Sequence, residues 1–191
     1  MVICLQRKVF ILHEIYGVND FMHEQTIEFI DDQTVVEHLA LYPDGKVFSY
    51  AQEEEAYAYF IKEVGFDKPL TQLSQQLRTA IAKYKEVILI GFSVGATLAW
   101  RLSTLPLHRV ICVYGSRIRQ YLGVQPSCPT LVLLPIHEKS FDVNNMKNAL
   151  QHIHFVQTVQ FAGEHGFMDE CNRTFHLEST LQAQSHIKKF I

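Results

Sequence analysis

The segment Glu86-Val87-Ile88-Leu89-Ile90-Gly91-Phe92-Ser93-Val94-Gly95-Ala96-Thr97-Leu98-Ala99-Trp100 constrains this chain more than any other. A run of apolar, β-branched residues passes through Gly91-x-Ser93-x-Gly95 into good helix formers, so the period changes from strand to helix across one tight turn. Such a turn holds its central residue in a strained backbone conformation. Glycines on either side remove the Cβ atoms that would collide with the crossing strand and helix. Ser93 Oγ is thereby lifted above the carboxyl edge of a sheet, and the helix that follows aims its first amides at the same point. That arrangement is a nucleophile elbow.

The rest of the chain reads as strands alternating with helices. Lys8 to His13 is continuously apolar apart from its ends, as expected of a strand buried on both faces. It runs into Glu14-Ile15-Tyr16-Gly17-Val18-Asn19, where Asn19 can cap a helix beginning at Asp20. A second strand is expected over Val35 to Leu41, stopped by the turn residues Tyr42-Pro43-Asp44-Gly45. Val47 to Phe60 is dense in aromatics (Phe48, Tyr50, Tyr57, Tyr59, Phe60), read chiefly as core. Pro69 opens a helix to about Tyr84, with Leu70, Leu73, Leu77 and Ile81 at helical spacing. Further strands are expected over Arg109–Tyr114, Pro129–Pro135 and His154–Phe161, with helices over about Val143–Leu150 and Glu178–Phe190. Right-handed crossovers then give an α/β fold with a mainly parallel central sheet and helices on both faces.

Composition narrows the class. A length of 191 residues without a Pro/Gly/Ser-rich linker fits one domain over 1–191, and 48% hydrophobic with 19% charged residues excludes a disordered chain. The net charge of −3 without a basic stripe argues against a nucleic-acid partner. Cys4, Cys112, Cys128 and Cys171 are scattered, so neither a disulfide framework nor a zinc knuckle is expected, and Cys112 reads as core. With no apolar run of membrane-spanning length and no leader-like N-terminus, a cytoplasmic enzyme that does not engage membranes is expected. His152-x-His154 would share one strand face, but without a third ligand at recognisable spacing the pair reads as solvated or packed. No Gly-rich loop ending in Lys-Ser/Thr supports nucleotide hydrolysis.

In such a sheet, function sits on the loops at the carboxyl ends of the strands. Ser93 follows one strand, the acids Glu138 and Asp142 follow another, and His165 follows the last within Gly163-Glu164-His165-Gly166-Phe167. A histidine there can take the serine proton and return it to the leaving group, and a carboxylate would set its tautomer. Either Glu138 or Asp142 could be that carboxylate. Arg117 and Arg119 follow the strand after the Ser93 helix, and Arg117 could hold a substrate carboxylate bidentately, though such arginines are more often solvated.

Val9 to Asn19, with its His13-Glu14-Ile15-Tyr16-Gly17-Val18-Asn19, resembles the first strand and oxyanion loop of the dienelactone hydrolase family. The Ser93 turn and His165-Gly166-Phe167 resemble that family's nucleophile and histidine motifs, in the same order. The resemblance implies an α/β-hydrolase fold with reduced N-terminal strands, no metal or other cofactor, and hydrolysis of a small ester, thioester or lactone through an acyl-enzyme. It further implies that the amides of Ile15 and Val94 form the oxyanion hole, that Glu14 lies near the nucleophile, and that Glu138, by an ungapped count from Pro129, stands where the family places its aspartate; a match on Glu138-Lys139 would put Ser140 there instead and make Asp142 the substitute. The best-known members carry a cysteine where this chain has Ser93, which points to serine esterase chemistry. Residues 42–69 match the family poorly, so the substrate does not carry over, and the sequence is silent on oligomeric state. The alternative reading is a catalytically silent binding protein that keeps the fold.

Overall fold

Alternate residues of the strands build two separate cores. Val9, Ile11, Ile88, Ile90, Ile111, Val113, Leu131 and Leu133 face one way, against Phe21, Met22, Ala183 and Ile187. Phe10, Leu12, Leu89, Cys112, Val132 and Leu134 face the other, against Leu73, Leu77, Leu98, Trp100 and Met146. A strand apolar on both faces must be covered on both, so the continuous runs in the sequence become the middle layer of a three-layer structure.

The structure is a computed structural model that describes residues 6–191; Cys4 lies outside the described residues. The strands are β1 (Arg7–Leu12), β2 (Thr34–Leu39), β3 (Glu86–Phe92), β4 (Arg109–Val113), β5 (Thr130–Leu134) and β6 (Val156–Gln160). The helices are α1 (Asp20–Phe29), α2 (Glu53–Tyr59), α3 (Leu70–Ile81), α4 (Val94–Leu102), α5 (Val143–Leu150) and α6 (Leu177–Phe190). All strand pairs are parallel, in the order β2-β1-β3-β4-β5-β6. The chain moves outward from β1 to β2, then returns past β1 to β3 and proceeds the other way. The order therefore reverses between β1 and β3, and a crevice opens at their carboxyl ends. No helix among the described residues is long and apolar enough to cross a membrane.

Several element bounds differ from the sequence expectation, for local reasons. The strand expected to Leu41 stops at Leu39, and the Leu41 amide donates instead to the His13 side chain. The strand expected from His154 begins at Val156. His152 and His154 lie in the preceding turn and share no strand face; the ring of His154 lies 4.0 Å from that of Phe155. The helix expected over Pro69–Tyr84 is shorter at both ends. In the aromatic segment, Phe48 and Phe60 are core as expected, whereas Tyr50 and Tyr57 send their hydroxyls to loops at the crevice.

Candidate active site

The turn between β3 and α4 is strained where the sequence expects it. Ser93 has φ 52° and ψ −110°, a region that non-glycine residues occupy at a cost of about 1–3 kcal/mol and only where the surroundings impose it. The imposing groups are visible. A Cβ on Gly91 would lie 2.2 Å from the Gly95 carbonyl oxygen, and a Cβ on Gly95 would lie 2.5 Å from that of Leu12. Strand β3, helix α4 and the end of β1 are thus in backbone contact at the serine, and Ser93 N–H is itself tied to the Val113 carbonyl at 2.9 Å.

Two other loops converge on this turn. The Ile136 amide donates to the Gly163 carbonyl at 3.0 Å, which brings the loop after β5 beside the loop after β6. Within the latter, Gly166 has φ 82°, and a Cβ there would lie 2.6 Å from the Asn172 side chain. Thr174 Oγ1 donates to the His165 carbonyl at 2.6 Å. So held, His165 places Nε2 2.9 Å from Ser93 Oγ and Nδ1 2.6 Å from Glu138 Oε1. Burial works to lower the His165 pKa, but the hydrogen bond and negative charge of Glu138 outweigh it and hold the imidazole above its ordinary range.

Of the two acids weighed from sequence, the structure brings Glu138 to His165 and leaves Asp142 elsewhere. Asp142 caps α5, its carboxylate accepting from the Asn144 amide at 2.8 Å. A short polar residue one position before a helix satisfies an orphan amide, and that competing role accounts for an aspartate here.

The serine, histidine and glutamate open onto a cavity of about 460 Å³, which Glu14, Ile15, Thr97 and Arg117 also line. The amides of Ile15 and Val94 donate to no other group among the described residues. Glu14 is buried, and that burial raises its carboxyl pKa to about 7 against the opposing influence of His165 and Tyr114. Arg117 donates to the Tyr57 hydroxyl at the cavity wall. Arg119 does not line the cavity: it bonds the Ser116 carbonyl and lies over the Phe141 ring.

Sequence reasoning singled out Glu14 but missed several of its neighbours. Among the described residues, the buried side-chain polar atoms left without a partner are Glu14 Oε1, Thr97 Oγ1 and Tyr114 Oη. Glu14 and Thr97 line the cavity, and the Tyr114 ring lies 5.1 Å from that of His165. Unsatisfied groups are rare in native interiors, and these three gather at one crevice. Asp169, also buried, accepts from Tyr50, which in turn accepts from Asn19 at 3.0 Å. The one available signal was position: Tyr114 directly follows β4, and Asp169 follows His165 by four residues.

Comparison with known proteins bears on the fold and the family. The chain is 33% identical over 186 residues to the uncharacterized protein YczH of Bacillus subtilis (strain 168), covering 94% of this chain and 90% of that one. Among solved structures, a candidate dienelactone hydrolase from Klebsiella pneumoniae subsp. pneumoniae superposes with a TM-score of 0.78 at 16% identity, over 96% of this chain and 85% of that one. A dienelactone hydrolase-like promiscuous phosphotriesterase from metagenomic libraries gives 0.71 at 17% identity, over 97% and 85%. These two likenesses speak to the α/β-hydrolase fold. The sequence model of the dienelactone hydrolase family matches residues 5–191, and the chain belongs to that family.

Proposed function

We propose that this protein is a serine hydrolase that cleaves a small carboxylic ester, thioester or lactone through an acyl-enzyme. The observation that carries the reading is the relay Ser93 Oγ to His165 Nε2 at 2.9 Å and His165 Nδ1 to Glu138 Oε1 at 2.6 Å. In the first half-reaction, Ser93 Oγ attacks the carbonyl carbon and its proton passes to His165 Nε2. Glu138 keeps the Nδ1 proton in place and stabilises the imidazolium, which then protonates the departing alcohol, thiol or ring oxygen. A water delivered through the same imidazole releases the acyl group and regenerates Ser93.

The oxygen of each tetrahedral intermediate becomes negative and needs donors already in position. The Val94 amide, at the first turn of α4, and the Ile15 amide, in the loop after β1, fill that role in this reading. Both have unengaged hydrogens, and the Gly95 contact with β1 holds the two backbone segments together. Glu14 sits in the same cavity as a carboxyl poised between its two protonation states near neutral pH, while Arg117 offers a cation to a substrate carboxylate.

A fluorophosphonate probe read by intact mass tests the proposal. Stoichiometric labelling of the wild type, absent in Ser93→Ala, is expected. Failure to label under conditions that label a control esterase would instead favour a silent binding protein with this fold.

A further inference from the structure

We propose that His13 is the positioning residue of the oxyanion hole: its neutral imidazole locks the Glu14–Ile15 peptide so that the Ile15 amide hydrogen faces the reacting oxygen. The proposal rests on the serine hydrolase reading above and extends it to a residue outside the relay.

His13 directly follows β1 and is 1% exposed. Its Nε2 lies 2.8 Å from the Leu41 amide nitrogen and its Nδ1 lies 2.5 Å from the Glu14 carbonyl oxygen. A backbone amide can only donate and a carbonyl can only accept, so both roles of the ring are settled: Nε2 accepts and Nδ1 carries the proton. The imidazole therefore bridges the segment after β2 to the peptide that joins residues 14 and 15.

That peptide is trans, so its carbonyl and its N–H point in opposite directions across one plane. Anchoring the Glu14 oxygen on the His13 side turns the Ile15 hydrogen away from His13. The next peptide is gripped as well. Tyr42 Oη donates to the Ile15 carbonyl at 2.6 Å, and the Tyr42 ring meets that of His13 edge-on with centroids 4.9 Å apart. The other proposed donor is placed from the same residue, because a Cβ on Gly95 would lie 2.6 Å from the carbonyl oxygen of His13. The His13 ring thus holds one donor loop while its backbone seats the turn that carries the other.

Burial pushes the His13 pKa down to about 4, so the ring stays in the neutral form that can both donate and accept.

The test uses p-nitrophenyl acetate hydrolysis and inhibition by phenylboronic acid, whose boron accepts Ser93 Oγ to give a tetrahedral adduct while the serine proton passes to His165. His13→Leu removes both hydrogen bonds at similar volume, and His13→Gln offers one donor and one acceptor. By analogy with deletion of one oxyanion donor, His13→Leu should lower kcat roughly 10²-fold and weaken the boronate by a similar factor, with KM within about twofold. His13→Gln should recover at least about tenfold of the lost kcat. A role confined to stability would leave the folded variant's kcat and boronate affinity at wild-type values, and that result overturns the proposal. Nitrogen NMR of the wild type provides a test that does not require His13→Leu to fold. The Nδ1–H tautomer with a large Ile15 amide shift on boronate binding is expected, and an Nε2–H tautomer or an unmoved Ile15 amide refutes it. A wild type that neither hydrolyses the ester nor binds the boronate defeats the serine hydrolase reading itself, and this proposal with it. A wild type that does both while His13→Leu matches it defeats the positioning role alone.

Discussion

Replacing Glu14 with glutamine should stabilise the protein, by an amount that grows as the pH rises from about 4.5 to about 7. The Glu14 carboxyl is 4% exposed, its Oε1 has no partner among the described residues, and its pKa is raised from 4.5 to about 7 by burial. An acid with a raised folded-state pKa holds a proton that the unfolded chain has already released. Its contribution is therefore complete below about pH 4.5 and is lost as the pH rises to about 7. The difference of roughly 2.5 pKa units at 1.36 kcal/mol each makes the ionised carboxylate cost about 3 kcal/mol at pH 8.5. Glutamine has nearly the same shape and no charge at any pH. For a chain of this size, about 3 kcal/mol corresponds to a Tm gain of roughly 6–12 °C. Calorimetric melts of wild type and Glu14→Gln at about pH 4 and about pH 8.5 should nearly coincide at the lower pH and separate by that amount at the higher. A gap of equal size at both pH values, or none at pH 8.5, would refute the assignment of a costly buried charge to Glu14.

Two further predictions concern the reaction. Glu138→Gln should lower kcat by roughly 10³–10⁴ and, since Glu138 is what holds the His165 pKa above 6.5, should shift the rising limb of the kcat/KM profile to lower pH. Asp142→Asn, which keeps a capping side chain, should leave both unchanged. Steady-state rates from pH 5 to pH 9 on one activated ester check this, and the reverse ranking would remove Glu138 from the relay. Arg117→Ala should raise KM for esters that bear a carboxylate relative to neutral esters of the same size. Equal effects on both would leave Arg117 no part in recognition.

What the sequence made legible follows the range of the physics that encodes it. The strained turn at Ser93 is dictated within five residues by two glycines and a change of period, so it could be read directly. The strands could be read because burial on both faces leaves continuous apolar runs such as Val9 to Leu12. Glu138 and Asp142 lie four positions apart on one loop, and both are carboxylates. Only the path of the chain between Ile136 and the cap of α5 separates them, and that path depends on a hydrogen bond to Gly163 from a distant segment. His13, Tyr114 and Asp169 carry no local signature, because each takes its role from a partner on another loop. The ends of β2 and β6 shifted for a related reason: a side chain or a positive φ, as at Phe155, diverts backbone that propensity alone would have left in the sheet.

The all-parallel strand order has a kinetic corollary. No two neighbouring strands can pair through a hairpin, so every edge of the sheet closes only after a crossover, and the Ser93–His165 contact spans 72 positions. Pairing of this kind meets the entropy of loop closure before any contact rewards it, so such sheets assemble slowly. The loops that carry residues 15, 93, 138 and 165 are ordered by different strands, and none of them can be competent while the others are unformed. Catalysis here belongs to the finished sheet, so recovery of hydrolysis during refolding marks the last docking event in the chain and not the return of secondary structure.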